Sequence, residues 1–175
     1  MALDDATPAA YKVEFAVPGA PVPKGRPRFV ATVGTDGKAS GRAYTPSLTR
    51  TYEESVRAAA RAAMGRLNAT SDAVMLSMVA FIPIPASWSR PKKARAMAGL
   101  LLPVGRPDLD NYEKAITDAL NGICYEDDSQ ICDVVKSKRY SDRPRVHIAV
   151  HPVNGFNADP FYVPKHQRPK KRKAK

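Results

Sequence analysis

Residues 73–82 read Ala73-Val74-Met75-Leu76-Ser77-Met78-Val79-Ala80-Phe81-Ile82, a nearly continuous apolar run. Its length and β-branched content predict a central strand buried on both faces, ended by Pro83 and Pro85. Working outward, Tyr11–Val17 alternates polar and apolar residues, the period of a half-buried strand. Phe29–Val33 and Lys38–Tyr44 read as a hairpin around the turn residues Gly34-Thr35-Asp36-Gly37. Ile131–Tyr140 and Arg145–His151 complete the strands. Helical spacing appears over Ser47–Leu67, where Tyr52, Val56, Ala59, Ala60, Ala63, Met64 and Leu67 share one face and Arg50, Arg57, Arg61 and Arg66 face out. A short basic helix over Ser87–Leu101 carries Lys92, Lys93 and Arg95, with Met97 and Leu100 as its apolar anchors. A third helix covers Asp110–Asn121. The fold class expected is a single α/β (α+β) domain, one mixed β-sheet with helices packed on it.

The chain has 175 residues, enough for one domain with a real core. Residues 1–10 read as a flexible leader, 11–152 as the domain, and 153–175 as an irregular segment ending in a disordered basic tail. No apolar run reaches the roughly 18 residues needed to cross a bilayer. Residues 1–10 lack the pattern of a signal peptide, so the expected location is cytoplasmic. Cys124 and Cys132 match no zinc-ligand spacing and read as free thiols.

The formal net charge is +11, and Lys165–Lys175 alone holds seven Lys/Arg and no acid. Such a surface favours nucleic acid over acidic protein partners. Against it stands the most acidic stretch of the chain, residues 106–133, with Asp108, Asp110, Asp118, Asp127, Asp128 and Asp133. Acids that converge inside a basic protein repel one another unless a cation sits among them. Hard carboxylate oxygens without convergent His or Cys point to magnesium or manganese, which acidifies water and steadies charge on a phosphodiester.

Asp108 and Asp110 are about 200° apart on a helix, and Pro107 disfavours helical geometry before it. Asp108 is therefore expected in an extended lead-in and Asp110 at the helix N-cap. Asp110 and Lys114 project away from the buried stripe of Tyr112, Ile116, Ala119, Leu120 and Ile123, and Lys114 can hold a phosphate oxygen. Asn121-Gly122 closes the helix with a left-handed cap. Plainer readings exist for each residue. Asp110 with Glu113 makes a capping box, Lys114 with Asp118 an i,i+4 surface pair, and Asp127-Asp128 a solvated turn.

The run Asp108-Leu-Asp-Asn-Tyr-Glu-Lys-Ala-Ile-Thr-Asp-Ala-Leu-Asn-Gly122, followed by Glu126-Asp-Asp-Ser-Gln130, resembles the RusA family of Holliday junction resolvases. That family's motif is Asp-x-Asp-Asn-x-x-Lys-Ala-x-x-Asp-Ala-Leu and then Asp-Asp-x-Gln. The Pro23–Phe29 and Ala43–Pro46 segments, with Tyr52-Glu53, resemble its phage and prophage branch. The resemblance spans roughly residues 11–151. It implies a RusA-like fold and a homodimeric, magnesium-dependent endonuclease that resolves four-way DNA junctions by paired symmetric nicks in recombination and repair. The catalytic and metal-binding carboxylates would be Asp108, Asp110 and Asp128, with Lys114 assisting at the phosphate and Mn2+ able to replace Mg2+. Departures are the single Arg106 where some members carry an arginine run, the 87–101 insertion, and the basic tail.

For the DNA itself, Lys24, Arg26 and Arg28 alternate with Gly25 and Pro27 and are expected to grip phosphates, with Gly25 permitting close backbone approach. Arg106 and Asn111 flank the carboxylates and would position the strand. Phe29 or Tyr44 would either stack at a branch point or sit in the core. No membrane or small-molecule substrate is expected. Three rival readings remain: a nuclease for forks, flaps or packaging intermediates; a non-catalytic DNA-binding module; and a phosphohydrolase, for which Leu101–Pro107 is a poor strand.

Overall fold

The computed structural model describes residues 12–26, 28–33 and 39–153. The leader, the tail beyond Val153 and the 34–37 turn lie outside the described residues. The elements in chain order are β1 (Val13–Pro18), β2 (Arg28–Val33), β3 (Ala39–Tyr44), α1 (Ser47–Met64), β4 (Val74–Pro83), α2 (Arg90–Met97), α3 (Leu109–Leu120), a single 3-10 turn (Asp128–Gln130), β5 (Ile131–Ser141) and β6 (Arg145–Pro152).

Four strands form one mixed sheet in the order β1-β6-β4-β5. The β4–β5 pair is parallel, and β6 runs antiparallel to both β4 and β1. The expected α+β domain built on one mixed sheet is what the chain adopts. A second, two-stranded sheet holds only the β2–β3 hairpin.

The run at residues 74–83 is central, as its apolar content requires, but it is buried on one face only. Val74, Leu76, Met78 and Ala80 are buried while Met75, Ser77, Val79 and Phe81 are partly exposed. The register explains this: Leu76, Met78 and Ala80 align with Val150, Ile148 and Val146 of β6, giving one continuous apolar face. Tyr52, Val56, Ala60 and Met64 of α1 and Ile116, Ala119 and Leu120 of α3 pack onto that face. Each such aliphatic side chain contributes about 1.5–3 kcal/mol when fully buried. Neither α1 nor α3 covers the other face, so its residues remain half-exposed.

Helix α1 stops three residues before the expected end. Gly65 takes φ 56° and its N–H donates to the Arg61 carbonyl, which leaves Leu67 exposed. Gly122, after α3, adopts φ 71°, the left-handed closure expected there. Helix α2 spans only Arg90–Met97, and its buried residue is Ala96. Met97 and Leu100 are therefore not its anchors; both are exposed. Among the described residues no helix is long and apolar enough to cross a membrane.

Candidate active site

Helix α3 begins at Leu109, with Asp108 as its N-cap in an extended conformation (φ −71°, ψ 154°). The boundary lies two residues earlier than the capping-box reading placed it. Leu109 packs against the core, which draws the helix start back to it. Glu113 then lies beyond capping reach and forms an ion pair with Lys136 of β5 instead. Asp110 sits in the first turn, and Asp108 makes no side-chain capping bond. Both carboxylates are exposed, and among the described residues neither has an ion-pair or hydrogen-bond partner. Neither is spent on holding the helix, and the α3 N-terminus favours negative charge beside it.

Asp108 lines a cleft of about 470 Å³ together with Pro23, Lys24, Arg26, Arg106, Pro107 and Asn111. The cleft is built by tying one loop to two helices. The Lys24 N–H donates to the Asn111 carbonyl at 2.8 Å, and the Gly25 N–H donates to Thr49 Oγ1 at 3.2 Å. A Cβ on Gly25 would fall 2.9 Å from both Pro46 Cγ and Thr49 Oγ1. The close approach that needs glycine is thus to the start of α1, within the fold. On the other wall, Lys138 Nζ donates to the carbonyls of Gly105 (2.9 Å) and Pro107 (3.0 Å), fixing the lead-in to Asp108.

Lys24 is less available than an open basic loop suggests. Its Nζ lies 2.6 Å from Glu53 Oε1 and 2.7 Å from Asp118 Oδ2. Partial burial works against its charge, but hydrogen bonds and Coulomb attraction to Asp118 and Glu53 outweigh it and hold the ammonium pKa above its ordinary value. Arg26 and Arg106 are the exposed cations at the cleft. Arg28 starts β2, and its side chain lies outside the described residues, as does that of Tyr44.

Asp110 lines an adjoining cleft of about 280 Å³ with Asn111, Glu113, Lys114 and Thr117. The two clefts share Asn111. Lys114 is exposed and lies 3.6 Å from Asp118 Oδ1. Asp110 and Lys114 both project outward, one helical turn apart.

The Asp127-Asp128-Ser129-Gln130 run divides into two jobs. Asp127 accepts from the Ser129 N–H (3.0 Å), and the Gln130 side chain accepts from the Asp127 N–H (2.8 Å). Hydrogen bonding from Ser129 holds the Asp127 carboxyl below its usual pKa. The Gln130 amide also donates to the carbonyls of Thr70 and Asp72, at 2.9 and 3.0 Å. Asp128 opens the 3-10 turn, exposed and with no partner among the described residues. It lines neither cleft. Among the described residues no group of three or more His, Cys, Asp or Glu is placed to hold a metal ion. Magnesium does not need such a cage: it binds through one or two carboxylates plus water and substrate phosphate. The oxygen-only chemistry of Asp108 and Asp110 fits that ion and not zinc.

Several residues that build the site carried no signal in the sequence reading. Lys138 is one charge among several in the 131–141 strand, with no spacing that marks it. Glu53 was noted for its motif and not as a buried counter-ion. A Glu at a buried position of an amphipathic helix, as Glu53 is, was the one available hint that a cation must come to meet it.

The chain matches the family model described as "Endodeoxyribonuclease RusA" over residues 18–151. It is also 36% identical over 144 residues to the protein YqaN of Bacillus subtilis (strain 168), covering 81% of this chain and 97% of that one. The matched span holds β4, β5 and all of β6 but its last residue, with only the last residue of β1, together with both clefts, and on this match the chain belongs to the RusA family of endodeoxyribonucleases.

Proposed function

We propose that this protein is a magnesium-dependent nuclease that cuts four-way DNA junctions by paired nicks in opposing strands, acting as a homodimer. Supporting the junction reading are the family and the dense motif from Asp108 to Gln130. A four-way junction has near two-fold symmetry, so two symmetric cuts call for two related sites. The recombination and repair setting follows from that substrate.

The observation that carries the reading is the pair Asp108 and Asp110: two exposed carboxylates, free of partners among the described residues, in adjoining clefts, Asp108 with the cations Arg26 and Arg106 and Asp110 with Lys114. Asp108 and Asp110 would hold the ion, with Mn2+ able to substitute. When bound, it acidifies water and offsets charge on the phosphodiester. Arg26 and Arg106 hold the backbone phosphates on either side of the cut, and Asn111 orients the strand between the two clefts. Lys114, one turn below Asp110, offsets negative charge as it builds on the phosphate. Lys24 acts as a positioning residue through Glu53 and Asp118. Asp128 enters this reading on the motif alone.

The test is cleavage of a labelled four-way junction, a fork and a linear duplex, with magnesium and with a chelator. Symmetric nicks in the junction, dependent on magnesium, are expected. Equal or better cutting of forks moves the substrate to other branched DNA. Band shifts without nicks on any of the three make the protein a binding module.

A further inference from the structure

Residues 84–107, the link between β4 and α3, contain no Asp or Glu and five Lys/Arg. The same link holds four of the exposed large hydrophobic residues: Met97 (50% exposed), Leu100 (68%), Leu102 (52%) and Val104 (94%). From Leu100 to Val104 exposure alternates, with Leu101 and Pro103 turned inward and Leu100, Leu102 and Val104 outward. The result is an aliphatic ridge running into Arg106 and Asp108.

The ridge is held firmly at both ends. At its root Trp88 packs edge-on against Tyr140 of β5, with ring centroids 5.1 Å apart, and Lys92 Nζ lies 4.1 Å over the Trp88 ring. At its far end Lys138 holds the carbonyls of Gly105 and Pro107. Presenting these three aliphatic side chains to solvent forgoes a part, set by their exposure, of the about 1.5–3 kcal/mol that full burial of each contributes. The occupant that fits is set by the surroundings. A cationic, acid-free arm is complementary to a polyanion, and the apolar part of that polyanion is its base stack. Proteins that kink DNA insert Leu, Ile, Met or Phe between base steps, at a cost lowest where stacking is already broken.

We propose that the Leu100–Leu102–Val104 ridge is a wedge that enters the DNA at the branch point, while Arg90, Lys92 and Arg95 hold the flanking phosphates. This rests on the junction-nuclease reading above. Val104 and Asp108 are four positions apart, a reach of at most about 14 Å. At roughly 3.4 Å per nucleotide, the wedge lies within about four nucleotides of the phosphate to be cut. The ridge then supplies shape selectivity that phosphate contacts cannot.

The experiment uses the full chain in metal-free buffer with a four-way junction carrying 2-aminopurine at the branch, and a linear duplex carrying it at the same step. Wild-type protein is expected to raise the junction fluorescence and leave the duplex unchanged. The Leu102→Gln/Val104→Gln variant should lose that rise and bind the junction roughly tenfold more weakly, with duplex affinity unchanged. Val104→Met, which keeps an apolar tip, should retain both. Unchanged junction affinity and fluorescence in the double variant overturns the proposal, as does a wild-type protein that leaves 2-aminopurine unaltered. A double variant that shifts from dimer to monomer in sedimentation makes the ridge a contact between copies, which also overturns it. Because no metal is present, failure of magnesium-dependent cutting would sink the nuclease reading without deciding this one.

Discussion

Lys24 and Asp118 are joined by a 2.7 Å ion pair, and the other oxygen of Asp118 lies 3.6 Å from Lys114. One carboxylate therefore links the loop that walls the first cleft to the lysine of the second. Glu53, buried on α1, meets the same Lys24 at 2.6 Å. Removing the lysine leaves Glu53 as an unpaired buried charge, apart from Arg57 at 3.6 Å. Lys24→Met is expected to lower stability by about 2–4 kcal/mol, read by urea denaturation. Arg26→Ala should change stability by less than about 0.5 kcal/mol. It should instead weaken junction binding and reduce the salt slope by about one unit. Equal stability of the two variants would contradict the assignment of Lys24 to scaffold and Arg26 to DNA.

Lys138 acts on the cleft through the backbone of Gly105 and Pro107, so its loss should misplace Asp108 without removing a DNA contact. In single-turnover cleavage, Lys138→Met is expected to cut about 10–100-fold more slowly. Its junction affinity should stay within about twofold. Lys138→Arg, which keeps the donors, should recover part of the rate. A variant that loses affinity and rate together would make Lys138 a DNA ligand.

The framework was open to sequence reading because its physics is local. The alternation at 145–152 and the 3.6-residue spacing of Tyr52, Val56 and Ala60 each report their own burial, while the apolar run at 74–83 reports its central place in the sheet but not that only one face is covered. Asp108, Asp110 and Lys114 were legible as a motif. Which residue caps α3 was not, because that depends on whether Leu109 finds the core. Nor was the fate of Lys24, whose partners lie 29 and 94 positions away and meet it only once α1 and α3 are side by side. Phe29 had two readings, stacking at a branch point or packing in the core, and at 80% exposed on the hairpin it is not a core residue.

The two thiols should behave differently. Cys132 is exposed and Cys124 is buried. Burial pushes the Cys124 thiol up to about 11. A thiol-disulfide reagent at pH 8 is expected to modify one cysteine rapidly and the second only on unfolding. The raised value favours the protonated thiol in the folded state. Its contribution to stability is complete below the unfolded value of roughly 8.5. It is lost as pH rises from there through about 11. Rapid modification of both thiols in the native protein would contradict the burial of Cys124 in the core.

Asp128 differs from its neighbours in having no hydrogen-bond or ion-pair partner among the described residues. Asp127→Ala removes the cap of the 3-10 turn and should cost about 0.5–2 kcal/mol. Asp128→Asn should leave stability unchanged within about 0.5 kcal/mol and, on the proposed reading, abolish cutting. Denaturation and cleavage of the two variants, measured side by side, separate the two roles. Full activity of Asp128→Asn would leave Asp108 and Asp110 as the whole acidic site.

The central claim is that the Asp108 and Asp110 side chains are catalytic carboxylates and do not serve to cap α3. The most direct measurement is magnesium-dependent nicking of a four-way junction by Asp110→Asn, with junction binding followed in parallel by gel shift. The account predicts a protein of wild-type stability that binds the junction and leaves both strands intact. Nicking at the wild-type rate by Asp110→Asn would contradict it.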